Sequence, residues 1–336
     1  MNYENQTILV ECTLYKESLR QKEMGAIVGR PLVHKAKKEY MKSIIPIILC
    51  LVFFLSKGWV LEAQPKAAYC PIPNRSVGKI KVIDSTIVKI WYAFNADNIN
   101  DENTYIDKQC LDIGKKVMKY YSDILSKEDN LLLAWKKKHP KTQGIPRNIV
   151  KGGKKRETWS EYQYSELFIY KNKMEVYATM PQWLERYNSF YTEDYPLQKW
   201  KIDTRTQKVL GYVCQRATTN WRGRIFEAWF APSIPLKAGP WKFGGLPGLI
   251  LKLRDMDGLY RFEAVQISRH PSPIFKYDYK GFLSSTRAKV WKQHKSFNEN
   301  WWKAANYHKA TIDSQGNMVQ GAAVSIFTPY SPIEKE

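Results

Sequence analysis

The residue types that most often carry chemistry are present but scattered. Beyond residue 63 the histidines are His139, His270, His294 and His308, with no metal-ligand spacing among them, and no HExxH, GxSxG or EF-hand loop occurs. His294 falls on the apolar stripe of a predicted helix and reads as a core-edge residue. Cys214 has the chemistry of a nucleophile, yet no base can be paired with it from the sequence. Two carboxylates are the best candidates for a buried acid able to move a proton: Glu227, between Phe226 and Trp229 on a predicted strand, and Asp255 at a strand end. Their plainer readings are a solvent-face residue and a hairpin residue. No catalytic residue, metal or cofactor follows from these positions, and the chain reads as a binding module more than as an enzyme.

Gly244 and Gly245 raise one further chemistry, a backbone cradle for an anion. The lysine-plus-hydroxyl ending of a phosphate loop is missing, however, and an apolar run follows where a helix should begin. The stretch "GPWKFGGLPGLILKLRD", Gly239 to Asp255, is therefore expected to be scaffold. Leu246-Pro247-Gly248 suits a type II turn, with proline presetting φ and glycine taking the positive φ. Leu249 to Met256 then reads as a strand, and Asp257-Gly258 as a two-residue hairpin turn into Leu259 to Ile267. That turn places Leu253 opposite Phe262, Leu251 opposite Ala264, Lys252 opposite Glu263, Ile250 opposite Val265 and Arg254 opposite Arg261, with one face apolar.

The elements around this hairpin are mostly extended. The segment 78–94 is rich in Ile and Val and partly alternates, which predicts an opening strand or two. Tyr162, Tyr164, Phe168 and Tyr170 share one parity, and a turn at 171–173 leads into Met174, Val176, Ala178 and Met180, which alternate with polar neighbours. Strands are expected at 207–217 and 224–230 around "TTNWRG". "SKEDNLLLAWKKKHP" is the clearest helix, with Ser126 as cap, Glu128 and Asp129 at the positive end, Lys136 to Lys138 at the negative end and Pro140 as stop. Val290, His294, Phe297, Trp301 and Ala305 recur at helical spacing after Ser284 and Ser285. The predicted fold is β-rich α+β: a twisted or half-open antiparallel meander sheet packed with a few helices.

Charge and leader bound the partners. Lys plus Arg outnumber Asp plus Glu by 53 to 32, for a net charge of +21, which favours anionic partners. Nine of the basic residues, and no acid, lie between Lys136 and Arg156, a solvated loop or an electrostatic contact for an anionic surface. From Met41 a lysine, an apolar run from Ile44 to Leu55 and a polar patch ending at Ala63 have the layout of a signal peptide, and the run is short of the ~20 residues that span a bilayer. The expected organisation is an upstream segment at 1–40 that precedes the true start, a signal peptide at 41–63 and a single domain at 64–336. Export places the protein in the periplasm or at the outer membrane and argues against nucleic acid. Cys70, Cys110 and Cys214 then allow three alternative pairings, or buried unpaired thiols.

"GLPGLIL" at 245–251, preceded by "GPWKF" and "AWFAPSIP", with "GYVCQRATT" and "LDIGKKVMKYYS", resembles the GLPGLI family of exported Bacteroidetes proteins. The motif residues Gly245, Leu246, Pro247, Gly248, Leu249 and Ile250 are structural on this reading. The resemblance implies an exported protein often encoded near TonB-dependent receptors, and supplies no catalytic residue. With it, the density of Trp and Tyr on alternating strands suggests a non-enzymatic carrier whose concave side binds a lipid or amphipathic ligand through Trp221, Trp229, Trp241 and Phe243. Two further functions are carried beside it: an accessory to an outer-membrane receptor in metal or nutrient uptake, and a secreted hydrolase using carboxylates that converge in space.

Overall fold

The structure is a computed structural model that describes residues 68–69, 75–76, 78–142, 146 and 158–335. The leader-like segment at 41–63 and most of the basic stretch from 147 to 156 lie outside the described residues, as does Cys70.

The fold is β-rich α+β, dominated by one sheet of thirteen strands. Strands β1 (Ile80–Phe94), β2 (Asp107–Gly114), β3 (Met118–Ser122), β4 (Ser165–Tyr170), β5 (Lys173–Ala178) and β6 (Ser189–Asp194) form one antiparallel meander. Strands β7 (Lys201–Val209), β8 (Tyr212–Trp221), β9 (Arg224–Ala231), β10 (Leu249–Asp255) and β11 (Arg261–Ser268) form a second. The meanders meet where β11 pairs with residues 89–94 of β1, while β12 (Pro273–Tyr277) pairs with residues 80–85. A short β13 (Leu283–Ser284) adds parallel to β6, which makes the sheet mixed. The Ile, Val and aromatic content of 80–94 favours one long strand, and its alternate residues Val88, Ile90, Tyr92 and Phe94 all enter the core.

Four helices accompany the sheet among the described residues: α1 (Asp123–Lys138), the single-turn α2 (Glu161–Tyr164), α3 (Arg287–Glu299) and the short α4 (Trp301–Ala304). The lysines and Pro140 end α1 as the sequence suggests, but its cap is Ser122, whose Oγ accepts from Leu125 N at 3.1 Å. Starting four residues earlier buries Ile124 and Leu125, which outweighs the capping pattern at Ser126. Thr286, not Ser284 or Ser285, caps α3, and Val290 and Phe297 on it are buried as expected. No helix among the described residues is long and apolar enough to cross a membrane.

Three sequence expectations change in detail. Tyr162 and Tyr164 lie on α2, so the strand begins only at Ser165. The strand expected at 207–217 is interrupted by a Leu210-Gly211 turn that separates β7 from β8. At 246–248 Gly248 does not take the positive φ of a type II turn; Gly245 has it, at 84°. Gly248 is needed for close approach instead, because a Cβ there would lie 2.3 Å from the Ala231 carbonyl oxygen. The strand that follows is β10, and the register Lys252–Glu263, Leu253–Phe262, Arg254–Arg261 is the expected one. Lys252 and Glu263 pair at 2.8 Å. Gly258 alone takes positive φ, 76°, in a turn closed by its N–H on Asp255 O, so the hairpin turns through four residues, not two.

The segment 232–248 between β9 and β10 folds back onto the sheet. Ile234, Ala238, Trp241, Phe243 and Leu246 enter the main core with Leu249, Ile250, Leu251 and Leu253. Its amide groups are internally satisfied: Gly244 N–H donates to Gln198 Oε1 at 3.0 Å and Gly245 N–H to Lys237 O at 3.2 Å. The glycine pair therefore forms no anion cradle.

Candidate active site

Glu161 opens α2 and points its carboxyl into protein, where 5% of the residue is exposed. Asn298 on α3 donates to Oε2 at 2.8 Å, and the buried Oε1 has no hydrogen-bond partner among the described residues. Burial is the main cause that pushes this carboxyl up to about 7, relieved only in part by Asn298. It lines a cavity of about 50 Å³ together with Tyr162, Tyr191, Trp241, Arg287, His294 and Glu334. That volume exceeds the ~15 Å³ of probe space one water needs, and the cavity's polar groups offer a water several partners. His294 stands edge-on to Trp159, with ring centroids 5.4 Å apart. Burial, and then the charge of Lys242, hold the imidazole down to about 3, so it is neutral at physiological pH.

Beside Glu161 lies an alternating charge cluster. Lys242, 1% exposed, pairs with Glu193 at 2.8 Å and Glu334 at 2.9 Å and donates to Tyr191 Oη at 2.9 Å. Arg222 pairs with the same two carboxylates, at 2.8 Å to Glu193. Arg287 reaches Glu334 at 3.5 Å and Glu193 at 3.7 Å. Burial alone would raise the Glu334 carboxyl, but Lys242 and Arg222 outweigh it and hold it down. Of this cluster Arg287 and Glu334 line the cavity, so the cation at its wall is the Arg287 guanidinium, the kind of group that stabilises a developing oxyanion.

The fold distributes the sequence-predicted residues unevenly around this cavity. Trp241 borders it and donates Nε1–H to Glu334 at 3.1 Å. Phe243 is fully buried, edge-on to Trp221 at 4.8 Å and tilted against Phe226 at 4.6 Å. Trp229 is half-buried and donates to Glu227 at 3.2 Å. The aromatic residues of this part of the sheet thus pack on each other. Of the two carboxylates singled out, Glu227 is held by Arg216 at 2.6 Å and Arg254 at 2.9 Å, and Asp255 by Arg224 at 2.9 Å. Burial would raise the Glu227 carboxyl, but those arginines keep it low; burial raises that of Asp255. Both serve as ion-pair partners. Cys110 and Cys214 are buried and unbridged, and burial pushes both thiols up. No cluster of three metal-ligating side chains occurs among the described residues.

Glu161 was not singled out by sequence reasoning. The available signal was an acid set among Trp159, Tyr162 and Tyr164, a composition in which a carboxyl is expected to be buried.

Comparison with known proteins bears on this arrangement. Residues 142–276 match the family described as N-glycanase peptide, N-terminal domain. The matched stretch carries Glu161, Tyr191, Glu193, Arg222, Trp241 and Lys242, whereas Arg287, His294 and Glu334 follow it. Among solved structures, two crystal forms titled as PNGF-II are similar to this chain at 14% and 15% identity, each with a TM-score of 0.41 over 65% of this chain and 34% of theirs. The chain spans about a third of the length of those proteins. No curated protein matches.

The family match corrects two expectations. The stretch "GLPGLIL" lies inside residues matched to the N-glycanase domain, so the assignment to the GLPGLI family does not hold. The non-enzymatic carrier of an apolar ligand, and the receptor accessory beside it, give way with it, since the matched family is named for an enzyme.

Proposed function

We propose that the protein acts on N-glycosylated peptides as a hydrolase of the N-glycanase kind, with the Glu161 cavity as its centre. The observation that carries this reading is the match of 142–276 to the N-glycanase N-terminal domain, a stretch that brings Glu161 and most of the charge cluster with it. A carboxyl with a pKa of about 7 is suited to take a proton from water and return it to a leaving amine. On this reading the cavity water attacks the carbonyl carbon of the amide that joins glycan to asparagine, and Glu161 accepts the water's proton. The charge that develops on the carbonyl oxygen faces Arg287. Glu161 then protonates the departing glycosylamine, which restores the carboxylate. Neutral His294 borders the site without competing for the proton.

The sheet that supports the site is read as strongly twisted and half-open, supported by register shifts at 86/88, 215/217, 229/230 and 264/266, where bulges increase local twist. Export rests on the leader-like segment at 41–63, and an anionic partner surface on the basic stretch at 136–156. The test of the function is direct. A peptide carrying a single N-linked glycan should release it on incubation with the purified full chain, and an intact glycopeptide after prolonged incubation overturns the reading.

A further inference from the structure

Residues 329–335 belong to no helix or strand, and among the described residues a single backbone-to-backbone bond ties them down, from Lys335 N–H to Arg222 O at 2.9 Å. Side chains grip this strap instead. Arg224 donates Nε–H to Pro332 O at 2.8 Å and Tyr260 its hydroxyl to Ser331 O at 2.6 Å, while Ile333 N–H donates to Tyr162 Oη at 3.3 Å. Ile333 itself is buried in the main core. A groove holds an extended peptide in this way, taking up its backbone groups along the length and its side chains in pockets.

The charged side chain so taken is Glu334, of which 6% is exposed. Its carboxylate accepts from Trp241 Nε1–H at 3.1 Å and pairs with Lys242 at 2.9 Å, with Arg287 at 3.5 Å and with Arg222. The same three cations share Glu193. With Glu334 withdrawn they would face one carboxylate in a largely buried setting, an imbalance that a second carboxylate restores. The strap also walls the cavity beside Glu161, through Tyr330, Pro332, Ile333 and Glu334. Its volume of about 50 Å³ has room for a few waters and none for a side chain that carries a sugar. Withdrawing the strap removes that wall.

We propose that Arg222, Lys242, Arg287 and the Trp241 indole form a carboxylate-binding site for an extended acidic peptide, that residues 330–335 occupy it as an internal ligand, and that displacement of this strap opens the cavity beside Glu161. The consequence of opening for catalysis rests on the hydrolase reading above; the peptide site does not.

The test follows hydrogen exchange by mass spectrometry in the full chain, with the synthetic peptide Tyr-Ser-Pro-Ile-Glu-Lys, the sequence of 330–335, or its Gln-for-Glu counterpart as probe. At about 10 mM, above the ~mM effective concentration of a tethered segment, the acidic peptide should speed exchange at 330–335 about tenfold and leave β10 and β11 unchanged. The Gln peptide should do neither. Glu334→Gln should release the strap without any peptide and bind the acidic peptide about tenfold more tightly than the wild type does, and Lys242→Met should lose that binding. Strap exchange that keeps pace with the strands in every case, or equal responses to the two peptides, overturns the proposal. Cleavage of a glycopeptide is followed separately. Strap release without cleavage by any of the proteins removes the hydrolase and leaves the peptide site, whereas cleavage by a protein whose strap exchanges only with the strands does the reverse.

Discussion

Replacing Glu161 by Gln should change how stability depends on pH, in a direction fixed by burial. In the unfolded chain the carboxyl titrates near its ordinary 4.5; in the fold it titrates near 7. The folded state therefore binds the proton more tightly, and its contribution to stability is complete below pH 4.5 and is lost as pH rises through 7. The gap between the two values corresponds to about 3 kcal/mol. Glutamine keeps the shape and the Asn298 contact and carries no titrating proton. The variant and the wild type should differ little at pH 4.5, and Glu161→Gln should be the more stable by about 3 kcal/mol at pH 8. Other perturbed groups, among them Asp107, which burial also pushes up to about 7, are common to both proteins and cancel in the difference. Urea unfolding at pH 4.5, 6 and 8 measures that difference. A difference that stays constant with pH would mean that Glu161 titrates as an exposed carboxyl, and the argument from burial would fail.

Three other outcomes follow from the same structure. Arg75→Met leaves Asp129 and Glu166 buried without their shared cation, which should cost about 3 to 5 kcal/mol in denaturant unfolding, with partial recovery on adding Glu166→Gln. Gly248→Ala drives a methyl into the Ala231 carbonyl and should lower stability by about 3 kcal/mol, seen as a clear drop in Tm. Cys110 and Cys214 have no exposed surface and raised pKa values, so a thiol reagent should label them only at the rate of unfolding; rapid labelling of the native protein contradicts their placement.

Much of the framework was legible because it is written in local pattern. The alternation of Met174, Val176, Ala178 and Met180, the Lys252–Glu263 register and the helical spacing of Val290, Phe297 and Trp301 each need only period and turn chemistry. What the pattern missed was decided by tertiary competition. Ser126 has the better capping sequence, but burial of Ile124 and Leu125 starts the helix at Asp123. The exposed-looking acids of α1 had the same fate: Asp129, expected to serve the helix dipole, is the buried partner of Arg75, 54 positions away. The site itself was illegible for this reason. Glu161, Glu193, Lys242, Arg287 and Glu334 are dispersed over more than half of the chain, and no spacing rule joins residues carried by α2, β6, the segment 232–248, α3 and the last few residues of the chain.

The central claim is that Glu161 activates water against a glycan-bearing amide. It is tested most directly by incubating a singly N-glycosylated peptide with the full chain in heavy-oxygen water and locating the label by mass spectrometry. The account requires label in the side-chain carboxyl of the new aspartate, formed at least ~100-fold more slowly by Glu161→Gln. Intact glycopeptide, release of the glycan from a peptide that retains asparagine, or equal rates in the two proteins would contradict it.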